Sequence, residues 1–99
     1  MNKLPDKALK SYLRNLINKV YKILPMKEEE CATLTSYLCS LQNELIGCYQ
    51  LWEVLSDVPD FMSVINIIKY LASAEYDVGV CKREVFKAIN LIENITKEG

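Results

Sequence analysis

The sequence predicts an all-α protein, an antiparallel up-and-down four-helix bundle with one long central helix, on three observations. Apolar residues recur at alternating steps of three and four along most of the chain. The 99 residues include only three glycines and three prolines, and the prolines sit where periodic segments begin or end. Half of the chain is apolar (51%) and a quarter charged (25%), the balance of a globular protein. At this length the chain forms one domain, residues 1–99, with room for a single core.

The first helix is expected from about Pro5 to Leu24, with Leu9, Leu13, Leu16, Val20 and Ile23 on one face and Pro25 as its stop. "KEEE" then places Glu28, Glu29 and Glu30 where the positive end of a helix dipole would favour them. From there Cys31, Leu34, Leu38, Leu41, Leu45, Cys48, Trp52 and Leu55 form an unbroken heptad seam. The second helix would therefore run from about Lys27 to Ser56, some ~45 Å at the usual rise per residue, with Gly47 as a candidate kink. "SDVPD" makes a turn, and a third helix from about Asp60 to Ala74 carries Phe61, Val64, Ile65, Ile68 and Leu71 on one face. "SAEYDVGV" breaks the pattern before a fourth, from about Val80 to Lys97, with Cys81, Val85, Ala88, Ile92 and Ile95. Short connections favour antiparallel neighbours.

No apolar run approaches the ~20 residues of a membrane span, and "MNKLPDKALK" has no apolar core of a signal peptide, so a cytoplasmic protein is expected. The chain has four cysteines and no histidine. On one helix Cys31, Cys39 and Cys48 would be separated by about 12 Å or more, beyond disulfide reach, and a zinc site would need all four thiolates together. Cys31 and Cys48 are read as small hydrophobes of the seam, and Cys39 falls near its edge. Cys81, at the start of the fourth helix beside Lys82 and Arg83, has the best case for a reactive thiolate. The sequence contains no Gly-rich phosphate loop, no histidine-based catalytic pair and no repeated acidic motif, so neither an enzyme nor a cofactor or metal site is expected.

Charge is segregated along the chain: residues 1–27 carry a net +6, residues 28–58 a net −6, and the remainder −1. Either the first two helices pair and complement each other, or the basic sector of Lys3, Lys7, Lys10 and Arg14 meets nucleic-acid phosphates. On the second helix Ser36, Ser40, Asn43 and Gly47 lie together away from the leucine seam, and Glu44 is the only charge between Glu30 and Glu53. A solvated helix face usually carries charges. This one is either covered by neighbours in the bundle or is a docking face for a partner protein or a second copy of the chain.

At "LPDKALKSYLRNLINKVYKILP", "SYLCSLQNELIGC" and "KREVFKAINL" the chain resembles short, uncharacterised all-helical proteins of low-GC Gram-positive bacteria and their mobile elements. The resemblance covers most of the chain and implies a phage or mobile-element context, in which small proteins commonly work by occupying surfaces of larger ones. The expected function is that of a small cytosolic protein–protein interaction module that binds or occludes a larger protein as an inhibitor, immunity factor, or assembly or accessory subunit. The alternative is a nucleic-acid-binding accessory protein using the basic face of the first helix. No membrane or small-molecule partner is expected.

Overall fold

The computed structural model describes residues 6–98, and the side chains of residues 7–97. The elements are α1 (Asp6–Tyr21), α2 (Ile23–Glu28), α3 (Leu34–Leu51), a 3₁₀ turn (Glu53–Asp57), α4 (Pro59–Ser73) and α5 (Val78–Glu98), with no strand among the described residues. The four long helices pack around one core, and short α2 packs against α1, α3 and α5.

The apolar stripes read from the sequence become that core. Leu13, Leu16, Val20 and Ile23 from the N-terminal segments meet Leu38, Leu41 and Leu45 from α3, Phe61, Val64 and Ile68 from α4, and Val85, Ala88 and Ile92 from α5. Each large side chain fully buried there contributes roughly 1.5–3 kcal/mol of transfer free energy. Among the described residues no polar or charged side chain is buried with them.

Pro25 does not stop the first helical segment. Proline offers no N–H to the carbonyl four residues back, so the helix is interrupted one turn earlier, at Lys22, and resumes as α2 with Pro25 in its first turn, where the missing donor is tolerated.

The long second helix expected from Lys27 to Ser56 is three pieces. The first break is a Schellman closure of α2: the Cys31 N–H donates to the Met26 carbonyl (2.9 Å) and the Glu30 N–H to that of Lys27 (3.1 Å). Glu30 occupies the left-handed position of this motif with φ of 51°, a conformation that costs a non-glycine residue roughly 1–2 kcal/mol. The acidic triplet therefore straddles the C-terminal end of α2 and does not start a helix. The second break is at Trp52, whose backbone is extended (φ −100°, ψ 103°) and whose ring lies 5.5 Å from that of Tyr12. The 3₁₀ turn beyond it buries Leu55 completely. Val58 is extended, as the residue before a proline prefers, and Pro59 opens α4 at the position that suits its fixed φ. At 21 residues α5 is longer than α3 at 18. Asp77 caps α5, its Oδ1 accepting a hydrogen bond from the Val80 N–H at 2.9 Å.

α1 packs beside α5, α5 beside α4, and α4 beside α3. Lys10 and Arg14 share a groove with Glu93 and Lys97, whereas Tyr21 meets Phe86, so α1 and α5 run in opposite directions. Between α1 and α3 no pair of Cα atoms among the described residues comes within 8 Å. That seam is closed by long side chains alone.

Candidate functional site

Ser36, Ser40, Asn43 and Gly47 are all exposed on α3. α3 turns its leucines, Leu38, Leu41 and Leu45, into the core, and the helical repeat carries these four to the outside. Gly47 does not interrupt α3, which runs from Leu34 to Leu51, and a Cβ added there would meet nothing within 4 Å. Helix neighbours thus cover the leucine side of α3 and leave this side open. One turn beyond Gly47 the same side continues into Leu51, which is 73% exposed.

Glu44, the lone charge of α3, is engaged by α1. Its Oε2 accepts a hydrogen bond from the Tyr12 hydroxyl at 2.7 Å, and Lys19 Nζ donates to Oε1 at 3.0 Å and to Oε2 at 2.9 Å. The Tyr37 hydroxyl donates to the Lys19 backbone carbonyl at 2.8 Å, binding the two helices a second time. Partial burial works against the Glu44 carboxylate, but the hydrogen bonds from Lys19 and Tyr12 and the Lys19 charge outweigh it and hold its pKa below the usual carboxylate value. Burial first, and then bonding to Cys48 and Glu44, pushes the Tyr12 phenol well above its ordinary range, so Tyr12 stays a donor. Ser40 and Tyr37 stand at the rim of a groove of about 460 Å³ beside this cluster, between α1 and α3. The open face of α3 therefore presents no uncompensated charge along its length.

The basic sector of α1 is divided. Lys3 lies outside the described residues. Lys7 and Arg14 are exposed and Lys10 is half-buried. Lys10 and Arg14, with Ile17, form one wall of a groove against α5, whose wall is Glu93, Thr96 and Lys97. Lys10 and Arg14 thus sit beside α5, and Lys7 is not part of that groove. The charges of the N-terminal and central segments do not neutralise each other broadly either. Among the described residues Lys19–Glu44 is the ion pair between elements, and the other pair, Arg83–Glu84, lies within α5.

The four cysteines are free thiols in four different settings. Cys81 is completely buried, and burial raises its pKa despite the opposing Lys27 charge, which removes the case for a reactive thiolate there. Cys48 packs half-buried against the core, as read from the seam, and Cys39 is exposed. Cys31 is not a core residue: it lies in the turn between α2 and α3, half-exposed, where a hydrogen bond with the Thr33 hydroxyl (3.2 Å) lowers its pKa.

Sequence reasoning passed over two features. Glu44 was visible as the only charge on its helix, but its partners stand 25 and 32 residues away. Leu51, Val54 and Met62 remain exposed around the 3₁₀ turn; Leu51 and Val54 fall outside the heptad seam, the one sign of this in the sequence. Among the described residues no helix is long and apolar enough to cross a membrane. Comparison with protein-family models, curated proteins and solved structures finds no match for this chain.

Proposed function

We propose that the chain is a non-catalytic protein–protein interaction module of the cytoplasm, built as an up-and-down helical bundle, whose α3 outer face binds or occludes a larger protein. The roles that fit are inhibitor, immunity factor, or assembly or accessory subunit, encoded by a phage or mobile element. The observation that carries the reading is the uncharged, open side of α3 at Ser36, Ser40, Asn43 and Gly47, with Glu44 already satisfied by Lys19 and Tyr12. A partner docking there strips water from no unpaired charge, and small side chains allow close backbone approach. Specificity would come from shape and a few hydrogen bonds at Ser36, Ser40 and Asn43, and the effect from blocking the surface covered.

The test is affinity capture from the producing cell with the wild type, Ser40→Arg and Gly47→Glu. A protein retained by the wild type and lost from both variants, each still helical by circular dichroism, supports the reading. Equal retention by all three sinks it. The second reading, a nucleic-acid accessory role, is favoured by one observation, the convergence of Lys10, Arg14 and Lys97 on a single groove. It requires binding to DNA or RNA that weakens steeply with salt and is lost when Lys3, Lys7, Lys10 and Arg14 are replaced by alanine.

A further inference from the structure

The corner where α3 turns into α4 carries three of the large apolar side chains that remain exposed. Leu51 is 73% exposed, Val54 44% and Met62 37%, within twelve residues of one another in the chain. Exposed apolar side chains that form one patch commonly mark an interaction surface. The charged residues of the same stretch, Glu53, Asp57 and Asp60, are all acidic.

The complementary charge stands at the same end of the bundle. α1 begins there, as the contact between the Tyr12 and Trp52 rings fixes, and carries Lys7, Lys10 and Arg14. Lys97 at the end of α5 joins them across the α1/α5 groove, where Glu93 is the one acid among the lining residues. Within one chain the two sets do not meet: Lys10 and Arg14 face α5, the acids belong to the α3/α4 side, and no ion pair among the described residues links them.

We propose that this end of the bundle is the interface of a symmetric homodimer. A second copy, related by a twofold axis, covers Leu51, Val54 and Met62 and sets its α1 cations against Glu53, Asp57 and Asp60, while its own acidic corner receives the cations of the first. One isologous patch supplies both halves of the charge match, as a closed dimer requires. A stable interface takes about 800 Å² from each partner, about an eighth of the 6104 Å² surface of this chain, and an apolar centre with a charged rim is its usual layout. The inference rests on the reading that the chain works by protein contact, and it assigns the corner to the second copy, leaving Ser36, Ser40, Asn43 and Gly47 free for another protein.

Sedimentation equilibrium on the full chain tests it, with exposed residues changed so that the fold is kept. The expected results are a wild-type dimer, a monomer for Leu51→Glu, and dimerisation weakened more than about tenfold by either charge reversal, Lys7→Glu with Arg14→Glu or Glu53→Lys with Asp57→Lys. Mixing the two reversed proteins restores a one-to-one dimer, because each reversed patch then faces its new complement. A wild type that stays monomeric overturns the inference, as does a dimer that survives Leu51→Glu and both reversals. A dimer broken by Ser40→Arg and untouched by the reversals also overturns it, and instead seats the second copy on α3's outer face. The retention experiment with Ser40→Arg and Gly47→Glu judges the α3 reading separately, so failure of one is distinguishable from failure of the other.

Discussion

Two seams hold the outer helices in place, and they are made of different materials. α4 and α5 meet through Phe61, Val64, Ile68, Val85, Ala88 and Ile92, all fully buried in the shared core. α1 and α3 stay farther apart, and the gap is crossed by Tyr12, Lys19, Tyr37 and Glu44, which remain in partial contact with water. The first seam draws on removal of apolar surface from water, which is non-directional and indifferent to protonation. The second draws on directed bonds, those of Tyr12 and Lys19 to the Glu44 carboxylate and that of Tyr37 to the Lys19 carbonyl. Its strength is therefore smaller and depends on conditions, and this is the side of the molecule that borders the open face of α3.

The largest effect should come from emptying the dry seam. Phe61→Ala should cost about 3–5 kcal/mol in chemical denaturation, the range for an aromatic removed from a packed core. A cost near that of a surface substitution would mean that the α4 seam is no better filled than the α1 seam. Tyr12→Phe should cost about 1 kcal/mol, because it removes one donor from Glu44 while leaving the ring against Trp52. A loss as large as that of Phe61→Ala would erase the distinction between the seams.

The smallest effect should come from the charge itself. Glu44 and Lys19 both keep water contact, so Glu44→Gln should cost less than about 1 kcal/mol at neutral pH, and less again in high salt. Its pH signature is the sharper test. The folded pKa of Glu44 lies below its ordinary value of 4.5, so its contribution is complete above that value and disappears as the pH falls through the lower folded value. A denaturation series across that acidic window should show a slope that Glu44→Gln reduces and Phe61→Ala leaves in place. An unchanged slope in Glu44→Gln would show that the ion pair does not close the second seam.

The stripes were legible because burial follows the helical period: Leu13, Leu16, Val20, Leu38, Leu41, Leu45, Val64, Ile68, Val85 and Ile92 lie inside as their spacing requires. The ends of the helices were not. The step from Cys31 to Leu34 matches a heptad, yet the backbone between them is a turn, because a left-handed residue at Glu30 leaves no mark on hydrophobic spacing. Trp52 and Leu55 likewise kept the rhythm while leaving the helix, since a 3₁₀ turn can bury Leu55 as well as another α-turn would. The outer face of α3 could be read as one side of a helix, but not as open, because openness depends on where α1 and α4 settle. The engagement of Glu44 was hidden for the same reason.

The neighbour of α1 is α5, so the first helix of the chain rests on the last. In time, this means that α3, α4 and α5 can pair one after another as they leave the ribosome, whereas α1, although it also packs on α2, must wait for α5 before Leu13, Leu16 and Val20 are fully covered. A chain shortened to end before Val78 should therefore lose helical signal from α1 as well as from the missing segment, and the waiting helix is the part most in need of protection while the protein is being made.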